Sequence, residues 1–155
     1  MTESSETTYV VTANRTIAAP ASRIFELIAD PSRQPAWDGN DNLASAAAGQ
    51  RVRGVGEVFT MTLTKGTERH NHVVEFEEDR RIAWTPAESA TARPLGQLWR
   101  WELEPVDEGH TEVRHTYDWS DLTDQNRFQR ARATTSEHLR ASLDKLARVA
   151  ESDSA

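Results

Sequence analysis

The hydrophobic positions of this chain change period three times, and the changes divide it into a strand, a helical stretch, a long run of strands and a last helix. Tyr9 to Ile17 is strand-prone and stops at Ala18-Ala19-Pro20. Pro20 suits a first helical position, where its missing N–H has no partner to lose. Ile24, Phe25, Leu27 and Ile28 then recur at helical spacing as far as Asp30-Pro31. Asp30 as cap and Pro31 as first residue predict a second, short helical turn, ended by Pro35-Ala-Trp37-Asp-Gly39.

From about Leu43 to Trp119 the period is two. Phe59, Met61 and Leu63 alternate with Val58, Thr60 and Thr62, and Lys65-Gly66 turns the chain into Glu68-Arg-His-Asn-His-Val-Val-Glu-Phe76. His70 and His72 share the parity of Val74 and Phe76, so the imidazoles are expected on the inward, apolar face. Ile82 and Trp84 continue the alternation, followed by Trp99, Trp101 and Leu103. After the turn Asp107-Glu-Gly109 come Val113, His115, Tyr117 and Trp119. The pattern predicts an antiparallel meander with one wet face and one covered face. Ser120 to Thr123 offers helix caps, and Asp124 to about Ala150 contains no Gly or Pro. Phe128, Thr135, Leu139, Leu143 and Leu146 form an apolar stripe there, with Asp144 and Arg148 as a spaced pair on the other side. One helix of about 26 residues, roughly 39 Å long, is expected to cover the sheet.

Composition limits what such a fold can do. A chain of 155 residues supports one core, so a single domain over residues 8–150 is expected, with loose polar tails at 1–7 and 151–155. The net charge of −7 opposes phosphate backbones and anionic lipid, which argues against nucleic acid and against stable membrane association. There are no cysteines, hence no disulfides, thiolate nucleophiles or cysteine-held metals. No apolar run approaches the roughly 20 residues of a membrane span. A cytoplasmic monomer or homodimer is the expectation. No serine sits in a Gly-x-Ser-x-Gly elbow, and Gly54-Val-Gly56 leads into a strand, lacking the third glycine and the helix of a dinucleotide loop.

The order of these elements, with Ile17-Ala-Ala-Pro20-Ala-Ser-Arg-Ile24-Phe25-Glu-Leu27-Ile28-Ala-Asp30, Trp37, Gly54-Val-Gly56, Glu78-Asp-Arg-Arg-Ile82-Ala-Trp84 and Trp101-Glu-Leu-Glu-Pro105 through Gly109-His-Thr-Glu-Val113, resembles the START-like (SRPBCC) superfamily. Within it the chain looks most like the polyketide cyclase/dehydrase and lipid-transport group, over nearly everything from Tyr9 to Ala150. The resemblance implies an α+β helix-grip fold: a curved seven-stranded antiparallel sheet wrapped round a long C-terminal helix, with two short helices between strands 1 and 2. It further implies an apolar ligand held between sheet and helix. Members range from lipid carriers to aromatic polyketide cyclases, so the fold does not choose among them.

The expected wall of such a cavity is Phe59, Met61, Val74, Trp84, Trp99, Trp101, Tyr117, Phe128 and Leu139, large apolar faces with few polar tips. His70, His72, His115 and Thr135 are the expected polar points that orient a ligand. Solid packing by the same aromatics is the competing expectation. Three inward histidines have zinc-ligating chemistry, but no convergence is implied, and neither metal nor cofactor is expected. A histidine in a partly dry cavity titrates near neutrality, so His70, His72 and His115 are also candidate acid/base groups for a polyketide cyclase or dehydratase. Glu57 is read as a solvated carboxylate at a strand entrance. Arg127, Arg130 and Arg132 are read as a solvated face, with attraction of an acidic ligand group as the alternative. The leading expectation is binding of a hydrophobic or aromatic, lipid- or polyketide-like molecule, with catalysis as the rival.

Overall fold

The structure, a computed structural model, describes residues 9–38 and 43–152. The predicted tail at 1–7, Gly39 of the second turn and the last three residues lie outside them. Seven strands form one sheet: β1 (Val10–Ile17), β2 (Leu43–Ser45), β3 (Val58–Leu63), β4 (Glu68–Glu77), β5 (Arg81–Ala87), β6 (Leu98–Asp107) and β7 (His110–Asp118). Their order is β1-β7-β6-β5-β4-β3-β2, and every neighbouring pair is antiparallel. Consecutive strands from β2 to β7 are therefore neighbours, and β1 closes the far edge.

Between β1 and β2 the chain forms α1 (Ala21–Ala29) and a 3-10 turn (Pro31–Ala36). The turn stays short because Pro35 lacks a donor, and the Asp30 side chain caps it by accepting from both the Ser32 backbone N–H and hydroxyl. Trp37 is held at its end by an indole N–H donated to the Leu27 carbonyl at 2.8 Å. Ile24, Phe25, Leu27 and Ile28, the predicted helical face, are all buried.

The C-terminal segment departs from a single helix. A 3-10 turn (Gln125–Arg127) leads into α2 (Phe128–Ala133), the chain becomes extended at Thr134, and α3 (Ser136–Ser152) follows, 17 residues or roughly 26 Å. The cause is side-chain competition for the backbone. Thr134 donates its hydroxyl to the Arg130 carbonyl. The Thr135 N–H donates to Nδ1 of His138, three residues on, which makes Thr135 and His138 a capping pair that starts α3. At its other end α3 runs past Ala150, and Glu151 accepts from the Ala18 N–H, so residues 151 and 152 are part of the helix rather than of a tail. Leu139, Leu143, Leu146, Ala147 and Ala150 face the concave side of the sheet. Asp144 turns from its expected partner Arg148 to Arg15 of β1, at 2.7 Å.

β4 carries the second departure. Val73 pairs with Trp84 but Glu75 with Ala83, its neighbour in sequence, so Val74 is an extra residue in the strand. A one-residue bulge inverts parity along a strand. Phe76 does face inward, against Phe25 at a ring separation of 5.6 Å. On the far side of the bulge the inward residues are Arg69, Asn71 and Val73, across from Met61, Phe59 and Trp84. His70, His72 and Val74 therefore leave the covered face. Among the described residues no helix is long and apolar enough to cross a membrane.

Candidate functional site

Between the sheet and α3 lies an inner chamber of about 70 Å³. Its apolar wall is Met61 of β3, Trp84 of β5, and Trp99 and Trp101 of β6, closed by Trp37 from the end of the 3-10 turn. Polar groups enter from Arg69 and Asn71 of β4, His115 of β7, Gln34 and Asp38 of the 3-10 region, and Ser142 of α3. The chamber is small because the tryptophans pack on one another. Trp37 meets Trp101 edge to face at 5.1 Å, and Trp84 meets Phe59 at 5.2 Å. A space of this size takes a few waters or the end of a ligand and falls short of the several hundred Å³ that hold a whole drug-sized molecule.

The chamber shares Arg69 and Trp99 with a second, wider space of about 440 Å³. This vestibule is framed by Gln97 and Trp99 of the β5–β6 loop and β6, Tyr117 of β7, and Arg127, Arg130, Ala131, Ala133, Thr134 and His138 around the broken helix. The break at Thr134 thus sits in its wall. Gly96 fixes the loop beside it: its φ of 111° suits glycine, and an added Cβ would collide with the Asp121 carbonyl.

His115 is the best-placed candidate acid/base group by position and the poorest by chemistry. It is 3 % exposed, lies flat on Trp101 with ring centroids 3.7 Å apart, and faces Trp99 at 5.6 Å. Its Nδ1–H donates to the Arg100 carbonyl at 3.1 Å. Burial pushes its pKa down to about 3, so it is a neutral hydrogen-bonding group at physiological pH and a weak base. Burial also pushes the Tyr117 phenol up, against a hydrogen bond from Gln97. The Trp101 indole N–H and the Gln97 amide oxygen are buried without a hydrogen-bond partner among the described residues. Such groups carry a desolvation cost that an incoming polar atom can relieve.

The predicted site residues separate into five groups. Met61, Trp84, Trp99, Trp101 and His115 line the inner chamber, and Tyr117 lines the vestibule with Trp99. Phe59, Leu139 and Phe128 pack in the surrounding core, Phe128 against Trp119, without reaching either space. Thr135 is exposed and engaged with His138. His70, His72 and Val74 are on the outer face: His70 Nδ1 sits 3.2 Å from the Thr60 hydroxyl, His72 Nε2 donates to the Ser89 carbonyl at 3.3 Å, and Val74 is 43 % exposed. The three histidines do not converge, and among the described residues no group of three or more His, Asp or Glu side chains is placed to hold a metal ion. Glu57 is exposed and accepts from the Arg53 N–H. Arg127 and Arg130 point to the vestibule, and Arg132 does not line it. Arg69 and Asn71 are the chamber-lining residues of β4 missed in the sequence, as Gln34, Asp38 and Ser142 are from other elements. Arg69 and Asn71 stand in the histidine stretch, on the parity opposite to Phe76.

A family model described as polyketide cyclase / dehydrase and lipid transport matches residues 8–151. The chain belongs to that family. Curated relatives are two uncharacterised proteins of Mycobacterium tuberculosis: one, from strain H37Rv, is 28 % identical over 109 residues, and one, from strain CDC 1551, is 30 % identical over 105. Each match covers 66 % of this chain and 44 % of the relative, so the chain matches less than half the length of these proteins. Among solved structures, the protein MLL2253 from Mesorhizobium loti has a TM-score of 0.70 at 18 % identity, covering 94 % of this chain and 99 % of that one. The Aha1 dimer from Colwellia psychrerythraea scores 0.63 at 19 %, covering 94 % and 98 %. Norcoclaurine synthase from Thalictrum flavum, in complex with dopamine and hydroxybenzaldehyde, scores 0.62 at 14 %, covering 94 % and 88 %. These likenesses establish the helix-grip fold, a curved seven-stranded antiparallel sheet with a long C-terminal helix, and the family is one of small-molecule-binding folds.

Proposed function

We propose that the protein binds a hydrophobic or aromatic small molecule, lipid- or polyketide-like, whose end enters the tryptophan-walled inner chamber while its body lies in the vestibule. The observation that carries this is that the two spaces adjoin, with Trp99 and Arg69 lining both. A chamber of about 70 Å³ admits a ring edge or chain terminus only, and the roughly sixfold larger vestibule accommodates the rest. Apolar burial against Met61, Trp84, Trp99 and Trp101 then supplies affinity at roughly 25 cal/mol per Å² before ordering costs. His115 and the unpaired Trp101 N–H orient a ligand atom. Norcoclaurine synthase, with two aromatic molecules in a related fold, is consistent with such a use of the cavity.

The test is a titration with an environment-sensitive apolar dye of the wild-type protein and of Met61→Trp, which fills the inner chamber. Binding to the wild type, weakened at least about tenfold in a folded Met61→Trp, supports the proposal. Equal affinities would remove the inner chamber from the site.

Cyclase or dehydratase chemistry is the second reading, and one feature favours it: Asp38, only 7 % exposed, brings a carboxylate to the inner chamber. Proton transfer there falls to Asp38, since His115 is held neutral and His70 and His72 are on the outer face. Turnover of a polyketide-like substrate that disappears in Asp38→Asn while binding persists is the result expected of an enzyme.

A further inference from the structure

Several arginines of this protein hold carboxylates. Arg15 holds Asp144, Arg51 holds Glu26 and Glu78, Arg100 holds Glu75 at 2.6 Å, and Arg127 holds Asp124 and Glu88. Arg69 does not, and it faces inward. It is half-buried, lies on the covered face of β4 opposite Met61, and has no carboxylate or hydrogen-bond partner among the described residues. Arg130 approaches the same vestibule from α2 and likewise holds no carboxylate among them. Arg127 adds a third guanidinium, already neutralised.

This concentration runs against the chain as a whole, which has 18 basic and 25 acidic residues. A random draw from those charges would give a pocket somewhat more acid than base. Burial and the neighbouring Arg130 and Arg127 push the Arg69 guanidinium down from its ordinary value, so it is a cation held at a cost where no protein anion offsets it. A guanidinium is planar and presents two parallel donors, the geometry of a carboxylate. Tyr117 and Gln97 stand beside it with further donors, and Trp99, shared with the inner chamber, joins this polar end to the apolar one.

We propose that the ligand is an organic acid, an apolar or aromatic body ending in a carboxylate, with the carboxylate held in the vestibule by Arg69 and Arg130 and the apolar end pointing into the tryptophan chamber. This rests on the binding function proposed above and specifies its ligand class. Arg69, at the junction of the two spaces, sets the distance between acid and ring. The unsatisfied guanidinium becomes paired only when such a ligand is present, so a neutral molecule of the same shape leaves it unpaired and binds less well.

Calorimetric titration of 4-phenylbutanoate and of 4-phenylbutan-1-ol tests this, since the two differ only in the charged end. At low salt the acid is expected to bind at least about tenfold more tightly, a preference that shrinks as salt is added. In Arg69→Met the preference should vanish, chiefly through loss of acid affinity. Circular dichroism checks that the variant folds. Should it not fold, Arg130→Met is the second variant, expected to reduce the preference at least about threefold. Equal affinity of the wild type for acid and alcohol, or a preference untouched in a folded arginine variant, overturns the organic-acid assignment and leaves the cavity itself standing. Binding of neither compound removes the cavity as a binding site, and this inference with it.

Discussion

The pair β6–β7 and the strand β4 carry the same kind of sequence, aromatic or β-branched residues alternating with polar ones, and they differ in how that alternation maps onto the sheet. In β6 and β7 the register is unbroken from Leu98 and Asp118 to Pro105 and Thr111, so Trp99, Trp101, His115 and Tyr117 share one face. In β4 the extra residue at Val74 turns the strand over halfway, and the histidines sharing the parity of Phe76 end on the opposite face. Alternation fixes a face only relative to the next irregularity. The histidines with the more conspicuous spacing are therefore on the outer face. The isolated one, His115, is in the cavity wall.

The largest effect that separates the two regions is expected from truncation. Trp101→Ala removes a side chain 1 % exposed that packs on His115 and Trp37, and should cost about 3–5 kcal/mol in a urea unfolding experiment. Val74→Ala, at the bulge, should cost less than about 0.5 kcal/mol. A large loss at Val74 would mean that the bulge is absent and the strand regular.

An intermediate effect is expected from pH. The His115 pKa is about 3 in the folded protein against 6.5 unfolded, so between those values only the unfolded chain takes up the proton. Its contribution to stability is full above about pH 6.5 and is lost as pH falls towards 3, at up to about 1.4 kcal/mol per pH unit. Unfolding of the wild type and of His115→Gln across this range should give a flatter profile for the variant. Parallel profiles would show that the imidazole is accessible to protons in the folded state.

Most of the architecture was legible because its signals are local. Lys65-Gly66 and Asp107-Glu-Gly109 mark hairpins, period two marks strands, and Pro20 and Pro31 mark helix starts. Met61, Trp84, Trp99, Trp101 and His115 could be assigned to one face because their strands are regular. The rest depended on irregularities without a sequence signature. The Val73-Val74 bulge involves two good strand formers. The helix break at Thr134-Thr135 needs no Gly or Pro, since two hydroxyls and the His138 ring supply the competing hydrogen bonds. Gln34, Asp38 and Ser142 converge from separate elements, and no periodicity relates them.

The smallest effect is expected where the sequence drew most attention. His70→Phe and His72→Phe, on the outer face, should each change stability by about 0.5 kcal/mol or less and leave the affinity for an apolar dye within about twofold. A tenfold change in dye affinity would return β4 to a regular register with the histidines inside.

The most direct test of the cavity between sheet and helix is a nuclear magnetic resonance titration that follows the indole N–H signals of the five tryptophans as an aromatic acid is added. Signals of Trp84, Trp99 and Trp101 should shift with a common saturation curve, that of the unpaired Trp101 N–H most of all, while Trp119, packed against Tyr9 and Phe128, stays in place. Saturable shifts confined to Trp119, or no shift at any indole, would contradict a ligand site in the tryptophan chamber.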